Sequence, residues 1–313
     1  WSAGGVKMRS IARTGTGLTA EAAKLLLMPK DSDTRFKGHT GLDKRVAWSD
    51  PISLPDVKGV AVSVIEAESP GVADAMRALQ KAGKVVIAID SDIAASLSDA
   101  RRAYIGTNNL KAGEIAGQAA ATLRPQGGKT VVFVGKPEAA NAIERRTGFF
   151  QGAGPKFTQA EVFADDNDPN RAQENVRSAI LKYPDAGVLL GLWSYNAPAI
   201  AEEVKTSPAV RQKVSVVTFD LDQRAVDQLE QGLIDVTVCQ NPYEMGYQGV
   251  RLLKAFAAND AQTIDEMLPN KTSTIDTGVR IIIPQSNTSI KGENVITIDG
   301  MKKWLASKGL KSS

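Results

Sequence analysis

The chain has 313 residues, 42% of them hydrophobic and 23% charged, which is enough for one or two domains with a real core and excludes disordered, collagen-like and low-complexity architectures. Its formal charge is +3 with both signs interspersed, so no basic stripe marks a nucleic-acid partner. A single Cys and a single His exclude an internal disulfide, a Cys/His zinc cluster and a papain-like pair, and leave neither a metal nor a cofactor expected.

In chain order, residues 1–57 are the least regular part. Gly15-Thr16-Gly17-Leu18-Thr19-Ala20 matches the dinucleotide fingerprint G-x-G-x-x-A, but Lys7 to Thr14 is basic and polar where that fingerprint needs an apolar strand, so the match reads as an incidental turn. Residues 31–56 carry Asp, Lys, Gly and Pro without periodicity. A Ser-His-Asp triad would need His39, which lies among Lys37, Gly38, Thr40 and Gly41, and the G-x-S-x-G elbow does not occur. No run reaches the ~18 apolar residues of a membrane helix, and no secretory signal precedes the first strand.

From residue 57 short β-branched runs alternate with amphipathic stretches, the βαβ rhythm of a parallel sheet. The pattern predicts strands at 59–65, 85–90, 130–135, 187–191, 214–219 and 235–239. It predicts helices at 71–82, 110–123, 141–152, 170–182, 196–205, 223–231 and 243–258. Several strands run into polar residues at their carboxyl ends: Ser63 with Glu66, Asp90 with Ser91, Asp220 with Asp222, and Gln240 with Asn241. In an open α/β sheet the ligand crevice lies outside those ends. The cluster Asp166, Asn167 and Asp168 could be a calcium loop, but counting from Asp166 puts Arg171 at the loop's glycine and Arg177 at its glutamate. It reads instead as the cap of a helix opening near Pro169 and Asn170.

Three stretches together resemble the type I periplasmic binding proteins, the ribose-binding-like sugar receptors of ABC importers. The first is Val85 to Asp92, followed by Tyr104-Ile105-Gly106-Thr107-Asn108-Asn109 and the pairs Ala112-Gly113 and Ala116-Gly117. The second is Ala142 to Phe149, after a strand ending at Gly135. The third is Val216 to Asp220 followed by Val236 to Gly246. Their order and spacing agree over roughly residues 57–285.

The resemblance implies an α/β fold of two doubly wound parallel-sheet lobes joined by three crossovers, with a sugar bound between them. The N-terminal lobe would hold residues 1–106 plus 241–277 and the C-terminal lobe 107–240 plus 278–313. Crossovers would fall near Gly106 to Asn109, near Gln240 to Pro242, and around Thr277 to Ile283. Family members open on a β-strand; here Trp1 to Gly5 corresponds to the start of the first helix, so that strand is expected to be missing. Residues 22–32 correspond to the second strand, and the second helix, expected at about 33–54, has no recognisable pattern.

Asp90, Arg145, Asp220 and Gln240 match positions that contact sugar in the ribose-binding group. A carboxylate accepts from neighbouring hydroxyls while guanidinium and amide groups donate, and the charge-assisted bonds are the strong ones. Trp193 stands where the family has an Asn contact, with Asn196 one helical turn on. Its indole face would stack on the apolar side of a sugar, core packing being the competing role. Trp1 matches a stacking aromatic of the first helix, a frayed terminus being the alternative. Ser63 and Asn141 complete the set, with capping as the competing role. Cys239 reads as a small buried hydrophobe.

The function implied is that of a non-enzymatic, monomeric receptor, exported to the periplasm or cell envelope, that captures a sugar or polyol and delivers it to an ABC permease. The effector-binding core of a sugar-responsive repressor shares this fold, but Trp1 to Lys58 has the length of a DNA-binding headpiece without its two-helix pattern. A nucleotide-dependent enzyme rests only on the match at Gly15.

Overall fold

The computed structural model describes residues 57–64 and 66–307 with their side chains, and residues 2–3, 6–7, 9–12 and 23–29 as backbone strands. The chain opens with β1 (Ser2–Ala3), β2 (Val6–Lys7), β3 (Arg9–Ala12) and β4 (Ala23–Pro29). It continues with β5 (Val57–Val64), α1 (Pro70–Lys81), β6 (Val85–Asp90), β7 (Ala103–Gly106), α2 (Asn109–Leu123), β8 (Gly128–Val134), α3 (Ala140–Ala153), β9 (Phe157–Ala164) and α4 (Pro169–Lys182). Then come β10 (Ala186–Gly191), α5 (Asn196–Thr206), α6 (Pro208–Arg211), β11 (Ser215–Phe219), α7 (Gln223–Glu230), β12 (Val236–Gln240), α8 (Pro242–Ala258) and α9 (Ala261–Met267). The chain closes with β13 (Thr274–Asp276), β14 (Val279–Ile283), β15 (Val295–Thr297) and α10 (Ile298–Ser307).

These elements form two compact units, one of Trp1–Thr107 with Asn241–Gly278 and one of Asn108–Gln240 with Val279–Ser313. The sheet of the first unit has the order β13-β7-β6-β5-β4-β3. Its first four strands are parallel neighbours, whereas β4 pairs antiparallel with both β5 and β3. A strand does form within the predicted 22–32 segment, but against the parallel direction implied for it. The apolar run Leu25 to Met28 specifies a strand and carries no information about its direction.

The second unit has the order β15-β14-β12-β11-β10-β8-β9, parallel throughout except where β14 meets β12 antiparallel. Period-two alternation puts a core on each face of this sheet. Val131, Phe133, Leu189 and Val216 enter one cluster, while Val132, Val134, Leu190, Val217 and Phe219 enter the other. The first unit repeats the scheme, Val60, Val62 and Val86 on one face, Ala61, Ile87 and Ile89 on the other.

Each predicted strand and helix from residue 57 onward has its counterpart. Five strands were missed: β7, β9, β13, β14 and β15. β9 exposes Thr158 and Gln159 along the sheet edge, so its pattern lacks a hydrophobic run. Asp168 caps α4, accepting from the backbone N–H groups of Asn170 and Arg171, with Pro169 in the first turn, and this is the role read for the acidic cluster. Asp222 and Asn241 likewise cap α7 and α8. Among the described residues no helix is long and apolar enough to cross a membrane.

One packing detail places the site. α2 and α3 meet backbone to backbone through Gly113, Gly117, Gly148 and Gly152: a Cβ on Gly148 would lie 2.0 Å from the Leu110 carbonyl oxygen, and one on Gly117 2.0 Å from that of Phe149. Only glycine permits that approach. It brings Arg145 of α3 beside Asn109 at the start of α2.

Candidate ligand-binding site

In the first unit, Asp90 ends β6 in the left-handed region with φ 66°, uncommon for a residue with a side chain. Two neighbours hold it there. Ser63 Oγ on β5 donates to Asp90 Oδ2 at 3.1 Å, and the Tyr104 hydroxyl on β7 donates to the Asp90 carbonyl at 2.8 Å. Two residues on, Asp92 receives Arg101 Nε and Nη2, each at 2.5 Å. Burial raises the Asp92 carboxyl above its ordinary value, and the Arg101 guanidinium opposes that rise.

In the second unit, Asp220 follows β11 with φ 68°, and its carbonyl accepts from Thr237 Oγ1 at 2.7 Å. Its Oδ1 accepts from Gln240 Nε2 at 2.9 Å, while Oδ2 lies 4.0 Å from Arg145 Nη1. Arg145 is only 2% exposed. Its Nε donates to Asn109 Oδ1 at 2.9 Å, its Nη1 to the Leu192 carbonyl at 2.8 Å, and its guanidinium lies 4.7 Å from the centre of the Phe219 ring. Among the described residues, neither Arg145 Nη2 nor Asp220 Oδ2 has a hydrogen-bond partner. Arg145, Asp220 and Gln240 are therefore brought together, with a donor and an acceptor left over on a fixed frame. Asn109 and Phe219 are the supports that sequence reasoning missed. Both lie inside the quoted motifs, where nothing in the residue type separates a support from a contact.

Trp193 follows β10 half-buried. Its backbone N–H donates to Asn196 Oδ1 at 3.0 Å, and its indole Nε1 donates to Asn141 Oδ1 at 3.2 Å. The ring lies over Gly135, where a Cβ would fall 2.2 Å from the indole, and meets Tyr195 edge-on with centroids 6.4 Å apart. Asn196, expected to contact ligand, is fully buried: one end of its amide is taken by Trp193 and the other donates to Asp165 Oδ2 at 2.9 Å. Both ends of its buried amide serve to hold Trp193 against Asp165. Ser63 and Asn141 are likewise engaged, by Asp90 and by Trp193. Trp1 lies outside the described residues, as do His39 and the Gly15 to Ala20 match.

Burial pushes the Cys239 thiol up to about 12, so the thiolate that reactive chemistry requires is suppressed and the residue is the small buried hydrophobe expected. Among the described residues no cluster of three or more His, Cys, Asp or Glu could hold a metal.

The family described as "periplasmic binding protein domain" matches residues 43–261, more than half of the chain. This chain is a member of that family. Its fold is that of the type I periplasmic binding proteins. It is similar to an ABC transporter solute-binding protein from Burkholderia graminis, solved in complex with D-arabinose. The two share 27% identity over 78% of this chain and 81% of that one, with a TM-score of 0.68. It is also similar to one from Agrobacterium vitis bound with α-D-tagatopyranose, at 25% identity over 79% and 83% of the two chains and a TM-score of 0.67. A second Agrobacterium vitis protein, with bound D-fucose, has a TM-score of 0.68 over 80% and 82% of the chains; at 21% identity this is a likeness of fold. A search of curated proteins returns no match. In this periplasmic binding protein, then, a guanidinium donor and a carboxylate acceptor without hydrogen-bond partners among the described residues stand on neighbouring side chains, Arg145 and Asp220.

Proposed function

We propose that the chain is a solute-binding receptor that captures a sugar or polyol and hands it to an ABC-type membrane permease, with no chemistry performed on the solute. The observation that carries this reading is the pair of hydrogen-bonding positions, Arg145 Nη2 and Asp220 Oδ2, that have no partner among the described residues, on side chains whose other polar atoms are engaged or screened. A sugar hydroxyl is at once donor and acceptor, so one hydroxyl can give to the carboxylate while it or its neighbour receives from the guanidinium. Both groups are already fixed, so little ordering opposes binding. The similar structures with arabinose and tagatose favour this reading over the repressor core.

The reading assigns ligand contacts to both units: Asp90, steadied by Ser63, from one, and Arg145, Asp220, Gln240 and Trp193, steadied by Asn141, from the other. In this reading the two units, Trp1–Thr107 with Asn241–Gly278 and Asn108–Gln240 with Val279–Ser313, serve as the two lobes. A ligand that engages both favours the closed form, because only differential affinity moves a conformational equilibrium. The receptor works as a monomer in the periplasm or at the cell envelope and binds no nucleic acid.

The test is calorimetry on the purified chain with D-arabinose, D-fucose and D-tagatose, preceded by a thermal-shift screen of monosaccharides and polyols. Saturable binding is expected, and Asp220→Ala should lower the affinity more than ~10-fold, since it removes one partner of Gln240 and the acceptor beside Arg145. Unchanged affinity in that variant removes Asp220 from the site. Failure of every sugar and polyol in the screen, or salt-sensitive binding of duplex DNA, overturns the receptor reading.

A further inference from the structure

Asp165, immediately after β9, is 1% exposed, and its partners include no cation. A carboxylate in a dry site is costly unless its lone pairs are filled. Three neutral donors fill these: the Tyr195 hydroxyl on Oδ1, the Asn167 backbone N–H at 3.0 Å, also on Oδ1, and Asn196 Nδ2 on Oδ2. Two of the three belong to the turn that carries Trp193. The Tyr195 ring lies edge-on to the indole, and Asn196, anchored by Asp165, receives the Trp193 backbone N–H. The same turn is closed by the Asn196 N–H on the Trp193 carbonyl at 3.0 Å. The floor beneath the indole is tied to the same carboxylate's backbone, since the Asp165 N–H donates to the Val134 carbonyl and the Asp166 N–H to that of Gly135. The buried carboxyl thus fixes the turn and the flanking ring of a single tryptophan, while the backbone of the same segment holds the floor.

We propose that Asp165 is a positioning residue for Trp193, holding the indole as a rigid wall that selects ligands presenting an apolar C–H face. The selection rests on the receptor reading, whereas the tie between Asp165 and Trp193 stands without it. Asp165→Asn keeps the size but turns an amide donor toward Tyr195 or Asn196, so one arm of the network must break.

The experiment reads the tryptophan directly. The emission and acrylamide quenching of Trp193 are taken as the difference between each protein and its Trp193→Leu counterpart, with circular dichroism to verify folding. Asp165→Asn should shift that emission to the red and raise its quenching, and the exposed neighbour variant Asp166→Asn should not. Should Asp165→Asn fail to fold, Tyr195→Phe removes one arm alone and should move both readouts the same way. Affinity for D-arabinose, D-fucose and D-tagatose is then measured around the cycle: Asp165→Asn should weaken binding about tenfold in the wild-type background and add no further loss in the Trp193→Leu background. Unchanged emission and quenching in a folded variant, or losses that simply add, overturn the proposal. If the wild-type chain binds none of the three sugars, the receptor reading fails while the emission still decides whether Asp165 holds Trp193.

Discussion

The two units use one backbone device and opposite electrostatics. Each stops a parallel strand at an aspartate in the left-handed region, Asp90 at φ 66° and Asp220 at φ 68°, and each holds that aspartate's carbonyl with a hydroxyl from a neighbouring strand, Tyr104 in one case and Thr237 in the other. The strain of a left-handed residue with a Cβ, on the order of 1–2 kcal/mol, is thus offset locally in both. The arginines differ. In the first unit Arg101 is committed to Asp92, two residues beyond the site aspartate. In the second, Arg145 stands beside Asp220 itself, and a buried carboxylate elsewhere in the unit, Asp165, is satisfied by neutral donors. The first unit has Arg101 neutralised in a support; in the second, Arg145 keeps Nη2 without a hydrogen-bond partner among the described residues, the position that the proposed function gives to a ligand.

That difference has its root in helix packing and is broken most severely there. Arg145 reaches its place because α2 and α3 touch through glycines, so Gly148→Ala must drive the two backbones apart. About 3 kcal/mol of destabilisation is expected, at the upper end for overpacking, together with loss of sugar affinity as Arg145 leaves Asn109. The first unit has no such constraint at the helix glycine Gly249 of α8: among the described residues a Cβ there meets only the ends of the Ile89 and Ile87 side chains, at 3.3 and 3.9 Å. Gly249→Ala should therefore change stability by less than about 1 kcal/mol, with some gain from reduced unfolded-state freedom. Urea unfolding of the two variants, with calorimetry on D-arabinose, checks the contrast; equal costs would show that the close approach of α2 and α3 is not obligatory.

Next in size is the ion pair of the first unit. Arg101→Met leaves Asp92 in a half-buried site with no counter-charge. About 2 kcal/mol should be lost, less than for a fully enclosed pair because water still reaches part of the carboxyl. Sugar affinity should fall far less than in Asp220→Ala, because Arg101 supports the loop and touches no assigned contact. An affinity loss matching that of Asp220→Ala would mean that Arg101 does in the first unit what Arg145 does in the second.

This division of labour explains what could be read from the residues alone. The βαβ rhythm is a matter of apolar period and caps, both local, so most strands and helices from Val57 to Ala258 were legible within a few residues, while β7, four residues long, and the edge strand β9 were not. Asp90, Asp220 and Gln240 were singled out at strand ends and Arg145 within a helix, through a resemblance that spans three motifs, and the structure brings Arg145, Asp220 and Gln240 together. Asn196 was misplaced because sequence spacing says that it lies one turn beyond Trp193 but not that both ends of its amide are already engaged. Asp165 was passed over for a related reason: it adjoins a run of acidic residues, and whether such a carboxyl is solvated or enclosed depends on Tyr195 and Asn196, about thirty residues away in sequence. The direction of β4 was beyond the pattern altogether.

A smaller effect sharpens the shared device. Tyr104→Phe and Thr237→Val each remove the hydroxyl that holds a left-handed aspartate's carbonyl. If the two units truly repeat one solution, each variant should lose about 1 kcal/mol, the ordinary value of such a bond, with parallel and modest losses of affinity. A cost confined to one variant, measured by urea unfolding, would show that the other aspartate is held by its strand alone.

The smallest expected effect lies in the pH dependence of stability, where the buried acids of the two units run against the exposed ones. Burial raises Asp92 and Asp165 above the ordinary carboxylate value, so in the window between the ordinary and the raised value the folded chain holds protons that the unfolded chain has released. Their contribution is fully present below that window and is lost as pH rises through it. Asp99, Glu161, Asp185 and Asp260 are lowered by their partners, the hydrogen bonds from Arg77, Lys182, Lys129 and Thr263 leading in each case, so their contribution grows as pH rises through their own window. The two groups partly cancel in the whole protein, and a single profile would hide both. The difference between wild type and Asp165→Asn isolates one of them: the stability of the wild type relative to the variant should decline as pH rises from the ordinary carboxylate value upward. A flat difference in urea midpoints across that window would mean that Asp165 is hydrated in solution, and the contrast between an acid satisfied by a cation in one unit and by neutral donors in the other would lose its physical basis.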